Sequence, residues 1–177
     1  MSLGTPIEVA AKVNDLQRLA RIPMLVHSDL EPNLGRLEGG IFAPYTYGAG
    51  SATVFPANMA IGATGDTSLA RRAGEIIGRE AMAVGINVVF APTVDVNNNP
   101  ANPVINTRSF GEDPAQVAAM SAAFVRGVQS AGAVATAKHF LGHGDTDTDS
   151  HLARPVVRSS RARLDQVVGV HDKADEP

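Results

Sequence analysis

The chain has 177 residues, a net charge of −3 and an isoelectric point near 5.9, and no basic face of the kind that nucleic acid requires is evident. It contains no cysteine, which excludes disulfides, thiolate chemistry and cysteine-based zinc sites. With 44% hydrophobic residues it can fill one domain's core, and it has no run of about 18 apolar residues and no basic-then-apolar leader; the expectation is a soluble chain, cytoplasmic by default, with neither membrane nor nucleic acid as a partner.

In chain order, Thr5-Pro6-Ile7-Glu8 predicts a helix start, with Thr5 as cap, Pro6 in the first turn and Glu8 closing a capping box. That helix should run to about Leu19. The apolar run Ile22 to His27 predicts a buried strand ending at His27-Ser28-Asp29. Glu31 to Gly65 is rich in glycine and proline, lacks periodicity, and reads as loop with short local structure. Asp66 to Val84 predicts a helix stopped by Gly85, and Ile86 to Ala91 a strand that opens into the polar loop Pro92 to Glu112. Asp113-Pro114 caps a further helix through Gln129, stopped near Gly132. Ala133 to Lys138 then predicts a strand, with a last helix starting near Ser160.

Strands alternating with helices imply parallel βαβ units. Asp29, Asp95, Arg108, Lys138 and His139 all lie at or after the C-terminal ends of predicted strands, where parallel α/β folds build their sites. No glycine-rich nucleotide loop stands between a strand and its helix, so nucleotide binding is unsupported. The densest chemistry lies from His139 to His151, which holds three of the five histidines and Asp145, Asp147 and Asp149. Imidazole and carboxylate are the side chains best suited to moving protons or holding metals near neutral pH. Gly142 and Gly144 read as hinges that let this loop close over a substrate.

Lys138-His139-Phe140, Gly142-His143-Gly144 and Asp149-Ser150-His151 resemble the signature of family 3 glycoside hydrolases, in the β-N-acetylhexosaminidase branch. Phe90-Ala-Pro-Thr-Val-Asp-Val-Asn97, Arg108-Ser-Phe-Gly111 with Asp113-Pro114, Phe55-Pro56 and Asp29-Leu30-Glu31 are similar to the same family's upstream segments. The resemblance spans roughly Ile22 to Leu164. It implies an α/β fold, a partial (β/α)8 TIM-type barrel with parallel strands, and retaining hydrolysis of terminal β-linked N-acetylhexosamine in a carbohydrate substrate, without a cofactor or metal. By position it makes His151, paired with Asp149, the acid/base. Lys138, His139, Arg108 and Asp29 become contacts to the sugar, with Arg36 as a further binding arginine. Two departures stand out: Leu141 replaces the family's usual proline, and Glu31-Pro-Asn-Leu-Gly35 replaces the usual acidic-Gly-Gly run before Arg36.

The residues themselves are suited to those roles. Glycoside hydrolysis needs a proton for the leaving oxygen and negative charge against an oxocarbenium-like transition state. An imidazole gives and takes protons at neutral pH, and a carboxylate two residues away can fix its tautomer. Single loop aspartates more often form solvated turns. Asn97, Asn98 and Asn99 can serve turns alone, Asp95 can organise its loop as readily as bind a ligand, and His27 and His171 read as packing or surface residues. Two other functions fit less well: a metal-dependent hydrolase using His139, His143, Asp145, Asp149 and His151, or a non-catalytic sugar-binding remnant.

A complete barrel takes about 250 residues, and the family's nucleophile is an aspartate from a later strand. The expectation is therefore an incomplete barrel domain over residues 1–166 and a divergent polar tail over 167–177, with no nucleophile among Asp165, Asp172 and Asp175. Such a fragment is expected to self-associate.

Overall fold

The structure is a computed structural model and describes residues 5–31, 52–140, 142–157 and 159–167. Helix α1 spans Pro6–Leu19 and opens on the expected capping box: the Glu8 amide donates to Thr5 Oγ1 at 3.4 Å, and Glu8 Oε2 accepts the Thr5 amide at 2.8 Å. Strand β1 is His27–Ser28, α2 is Asn58–Gly62, α3 is Thr67–Ala83 and β2 is Val88–Val89. Helix α4 is Pro114–Ser130, β3 is Val134–Ala135 and α5 is Arg161–Val167. Asp66 and Asp113 cap α3 and α4 through bonds of 2.8 and 3.0 Å to Ser68 N and Ala115 N. Gly85 and Gly132, both at positive φ, follow those helices and turn the chain back toward the sheet. Among the described residues no helix is long and apolar enough to cross a membrane.

The three strands pair in parallel in the order β1-β2-β3, with His27 opposite Val88 and Val88 opposite Val134. Sequential order without a switch of direction is how consecutive β/α units progress around a barrel rather than across a doubly wound sheet. The regular ladder is short, but pairing continues beyond it: Thr93 bridges Lys138, and Val94 N donates to Lys138 O at 2.7 Å. The C-terminal ends of β2 and β3 thus run on together into the loops.

Helices α3 and α4 lie against one another on the sheet's outer side. Helix α3 buries Ala70, Ala73, Gly74, Ile77, Gly78 and Ala81, one stripe at helical spacing. Helix α4 answers with Val117, Met120, Phe124 and Val128. The axes come close because glycines line the seam. A Cβ at Gly127 would sit 2.1 Å from the Arg71 carbonyl oxygen, and one at Gly74 would sit 2.3 Å from that of Phe124.

The first strand differs from expectation. Ile22 and Leu25 are largely exposed, and the ladder begins only at His27. Polar side chains divert the backbone upstream: Gln17 exchanges two bonds with Met24, at 2.9 and 3.0 Å, and Asn87 Oδ1 takes the Val26 amide at 2.8 Å. Residues 22–25 therefore serve as a connection, and only the end of the run, Val26 and His27, joins the sheet.

Candidate active site

Strand alternation places the first acidic residues. Leu30 points into the core, 2% exposed, so its neighbours Asp29 and Glu31 share the opposite face, where β1 ends. Lys138 arrives from beyond β3 and reaches both: Nζ lies 2.5 Å from Asp29 Oδ1 and also contacts Glu31 Oε1. Arg108 closes a short 3-10 turn, Asn106–Arg108, whose carbonyl end is held by Asn58 Nδ2 at 2.9 Å. It meets Glu31 through two parallel bonds, Nε to Oε2 and Nη2 to Oε1, each 3.1 Å. Thr93 Oγ1 donates to Glu31 Oε2 at 2.5 Å. Burial alone would raise the Glu31 pKa, but the bonds and charges of Arg108 and Lys138 outweigh it and hold the group at about 2.

A second group lies one residue on. A cis peptide joins Lys138 to His139. His139 Nδ1 is 2.7 Å from Asp95 Oδ2, and Asp95 Oδ1 accepts the His143 amide at 2.5 Å. Asp95 is 1% exposed and ties both ends of the segment from His139 to His143 to the loop that follows β2. His143 stacks edge-on to His139, and its Nδ1 bonds Thr146 Oγ1. Asn102 Nδ2 reaches the carbonyls of His143 and Gly144 at 2.6 and 3.2 Å. Gly144 is pinned rather than hinged, because a Cβ there would meet the Val96 carbonyl oxygen at 1.7 Å.

The third group is the pair Asp149 and His151. Asp149 Oδ1 accepts the His151 amide at 2.8 Å and lies 2.7 Å from Nδ1. The backbone bond first, and the imidazole bond second, hold the Asp149 carboxyl below its ordinary range. An ionised carboxylate at Nδ1 makes that nitrogen the protonated one and leaves Nε2 to exchange protons with a ligand. The His151 side chain is 74% exposed and stands open to solvent.

Asp29, Arg108 and Lys138 are therefore brought into one charged cluster, His139 adjoins it through the chain, and the hydrogen bonds of Asp149 and His151 run within their own loop. Arg36, Asp165's side chain, His171, Asp172 and Asp175 lie outside what the structure describes. His27 stacks on Phe90 at 4.5 Å between ring centroids, a packing role. Sequence reasoning singled out neither Glu31, Thr93 nor Asn102 as part of the site, and left Asp95 open between loop and ligand. The available signals were an acid two residues after Asp29, on the same strand face, and polar residues closing an apolar strand. Among the described residues no three His, Asp or Glu side chains gather as a metal site would require, so the five-ligand metal reading has no geometry behind it.

A sheet of successive parallel β/α units, with cations, carboxylates and imidazoles gathered past its strand ends, is the pattern of an enzymatic α/β barrel segment. The profile of the glycosyl hydrolase family 3 N terminal domain matches residues 6–171, and the chain belongs to that family. It is 43% identical over 166 residues to a beta-N-acetylglucosaminidase/beta-glucosidase of Cellulomonas fimi, covering 94% of this chain and 28% of that protein. It is 50% identical over 119 residues to beta-hexosaminidase A of Pseudoalteromonas piscicida, covering 65% of this chain and 20% of that one. The solved family 3 beta-N-acetylglucosaminidase of Paenibacillus sp. str. FPU-7 superposes with a TM-score of 0.85 at 45% identity, over 97% of this chain and 32% of its own. The chain thus spans about a third or less of the length of these relatives, and its three parallel strands form part of a (β/α)8 barrel.

Proposed function

We propose that this chain supplies the sugar-binding and acid/base part of a glycoside hydrolase that removes terminal β-linked N-acetylhexosamine with retention. As the imidazolium, His151 donates the Nε2 proton to the leaving oxygen and becomes the Nδ1–H imidazole, which then accepts a proton at Nε2 from the attacking water, while Asp149 holds the ring through Nδ1. Lys138 and Arg108 donate to sugar hydroxyls, Asp29 accepts from one, and His139, held by Asp95, presents its other nitrogen to the sugar. The observation that carries this reading is the 2.7 Å bond from Asp149 to an otherwise open imidazole. Such a pair is suited to moving protons, and it lies on the loop that Lys138 and His139 open after β3.

A retaining route also needs a carboxylate nucleophile. Asp29, Glu31 and Asp95 are each bound to a cation or an imidazole, so that role is assigned to none of them. The 177-residue chain alone is expected to bind N-acetylglucosamine without hydrolysing its nitrophenyl glycoside. The test is a hybrid in which this chain replaces the matching part of the Cellulomonas fimi protein. A hybrid that releases nitrophenol supports the reading, and a folded hybrid with an intact remainder that stays inactive contradicts it.

A further inference from the structure

Glu31 is the most enclosed charge in the cluster, with its side chain 4% exposed against 44% for Asp29. A carboxylate offers about four acceptor positions, and all are in use: Oε2 takes Thr93 Oγ1 and Arg108 Nε, and Oε1 takes Arg108 Nη2 and Lys138 Nζ. It has no capacity left for a substrate hydroxyl, and a carboxylate so saturated by two cations is a poor nucleophile. What it can do is act through the side chains it holds. Arg108 and Lys138 both carry long, rotamer-rich stems whose ordering would otherwise be charged against binding. Glu31 fixes the plane of the guanidinium by its two-point contact and draws the ammonium to the same spot.

Its charge has a second effect. Lys138 touches both Asp29 and Glu31, and Glu31 also holds Arg108, so this linked set comprises two cations, Arg108 and Lys138, and two anions, Asp29 and Glu31. Their charges cancel. A site of this kind offers strong directional bonds to a neutral polyol and no net attraction for an anion. With Glu31 neutral, two cations would face one carboxylate, and the balance would favour an acidic ligand.

We propose that Glu31 is a positioning residue that sets Arg108 and Lys138 for sugar recognition and, by cancelling their charge, makes the site select a neutral hexosamine over its uronate. The proposal rests on the sugar-binding reading given above. It does not require the chain to be catalytically active.

The test uses the 177-residue chain, labelled with nitrogen-15, and two probes that differ only at C6: N-acetylglucosamine and its C6-oxidised uronate. In the unsubstituted chain the Arg108 Nε–H signal should be resolved and slow to exchange, and the uronate should bind at least tenfold more weakly than the neutral sugar. Glu31→Gln should release that signal, weaken the neutral sugar about tenfold and strengthen the uronate. Glu31→Asp, which keeps the charge, should restore the preference for the neutral sugar. Equal losses for both sugars in Glu31→Gln would reveal a merely structural role and overturn the proposal. Equal binding of the two probes to the unsubstituted chain overturns the charge selection even if the variants fail to fold. A folded chain that binds neither probe overturns the sugar-binding reading itself, whereas one that binds N-acetylglucosamine unchanged after Glu31→Gln overturns the role of Glu31 alone.

Discussion

Lys138 Nζ and Asp29 Oδ1 meet at 2.5 Å although 109 positions separate them in the chain. Asp29 follows β1 and Lys138 follows β3, the two outer strands, so the pair spans the end of the middle strand. Donor and acceptor are thereby set side by side at the mouth of the sheet, with Arg108 coming from the loop beyond β2. This is the arrangement that two neighbouring hydroxyls of a pyranose ring can bridge.

Lys138→Ala and Arg108→Ala should therefore act chiefly on recognition. A charge-assisted hydrogen bond contributes roughly 1.5–3 kcal/mol, so each substitution is expected to lower kcat/KM of an active enzyme carrying this segment about ten- to a hundredfold. The expected partition is toward KM. Steady-state kinetics on a nitrophenyl N-acetylglucosaminide measures it, and unchanged kinetics with a lowered melting temperature would give these residues a structural role instead.

Acid should loosen the same cluster. Glu31 is held at about 2, below the ordinary 4.5, so its ionised form stabilises the folded state. That contribution is fully present above about pH 4.5, declines as pH falls toward 2 and is absent below. Its size is on the order of 3 kcal/mol. Thermal unfolding from pH 7 to pH 2 should show a steeper acid decline for the unsubstituted chain than for Glu31→Gln. Parallel curves would contradict the assignment.

The seam between α3 and α4 makes a prediction about packing. Gly127 faces the Arg71 carbonyl oxygen so closely that any Cβ forces the helices apart. Gly127→Ala is expected to cost about 1–3 kcal/mol by overpacking, even though alanine favours the helix itself. Urea unfolding gives the value, and an unchanged midpoint would show that the seam adjusts freely.

Apolar side chains stand in water on α1 and just beyond it: Ile7, Leu16 and Leu19 on the helix, with Ile22 and Leu25 after it. Val134 of β3 is exposed as well, and among the described residues no further strand pairs with the outer edge of β1 or β3. Exposed apolar faces and unpaired edges invite association. Size-exclusion chromatography of the 177-residue chain should show oligomers that grow with concentration, and a monomer at every concentration would contradict this.

Helices were the most legible part of the chain, because their signals are local. Thr5 with Glu8, Asp66 with Gly85, and Asp113 with Gly132 marked starts and stops that the structure reproduces within a residue or two. Strand extent was less legible. Ile22 to His27 has the composition of a buried strand, yet Gln17 takes both backbone groups of Met24, and Asn87, 61 positions from Val26, takes the Val26 amide, a partner that no local pattern encodes. The site divides the same way. Lys138, Asp29 and Arg108 could be found from their places after strands, whereas the burial of Glu31 among them depends on three segments meeting. Gly144 looked like a hinge in a polar loop, and only the position of Val96 shows that close contact demands it.

The acid/base role of His151 is the central claim, and leaving-group dependence tests it most directly. In an active enzyme carrying this segment, His151→Ala should slow hydrolysis of an unactivated N-acetylglucosamine disaccharide by about 10²–10⁴-fold. Glycosylation from a dinitrophenyl N-acetylglucosaminide, whose leaving group needs little protonation, should be affected far less. Full activity of His151→Ala on the disaccharide, or an equal loss on both substrates in single-turnover measurements, would contradict the account.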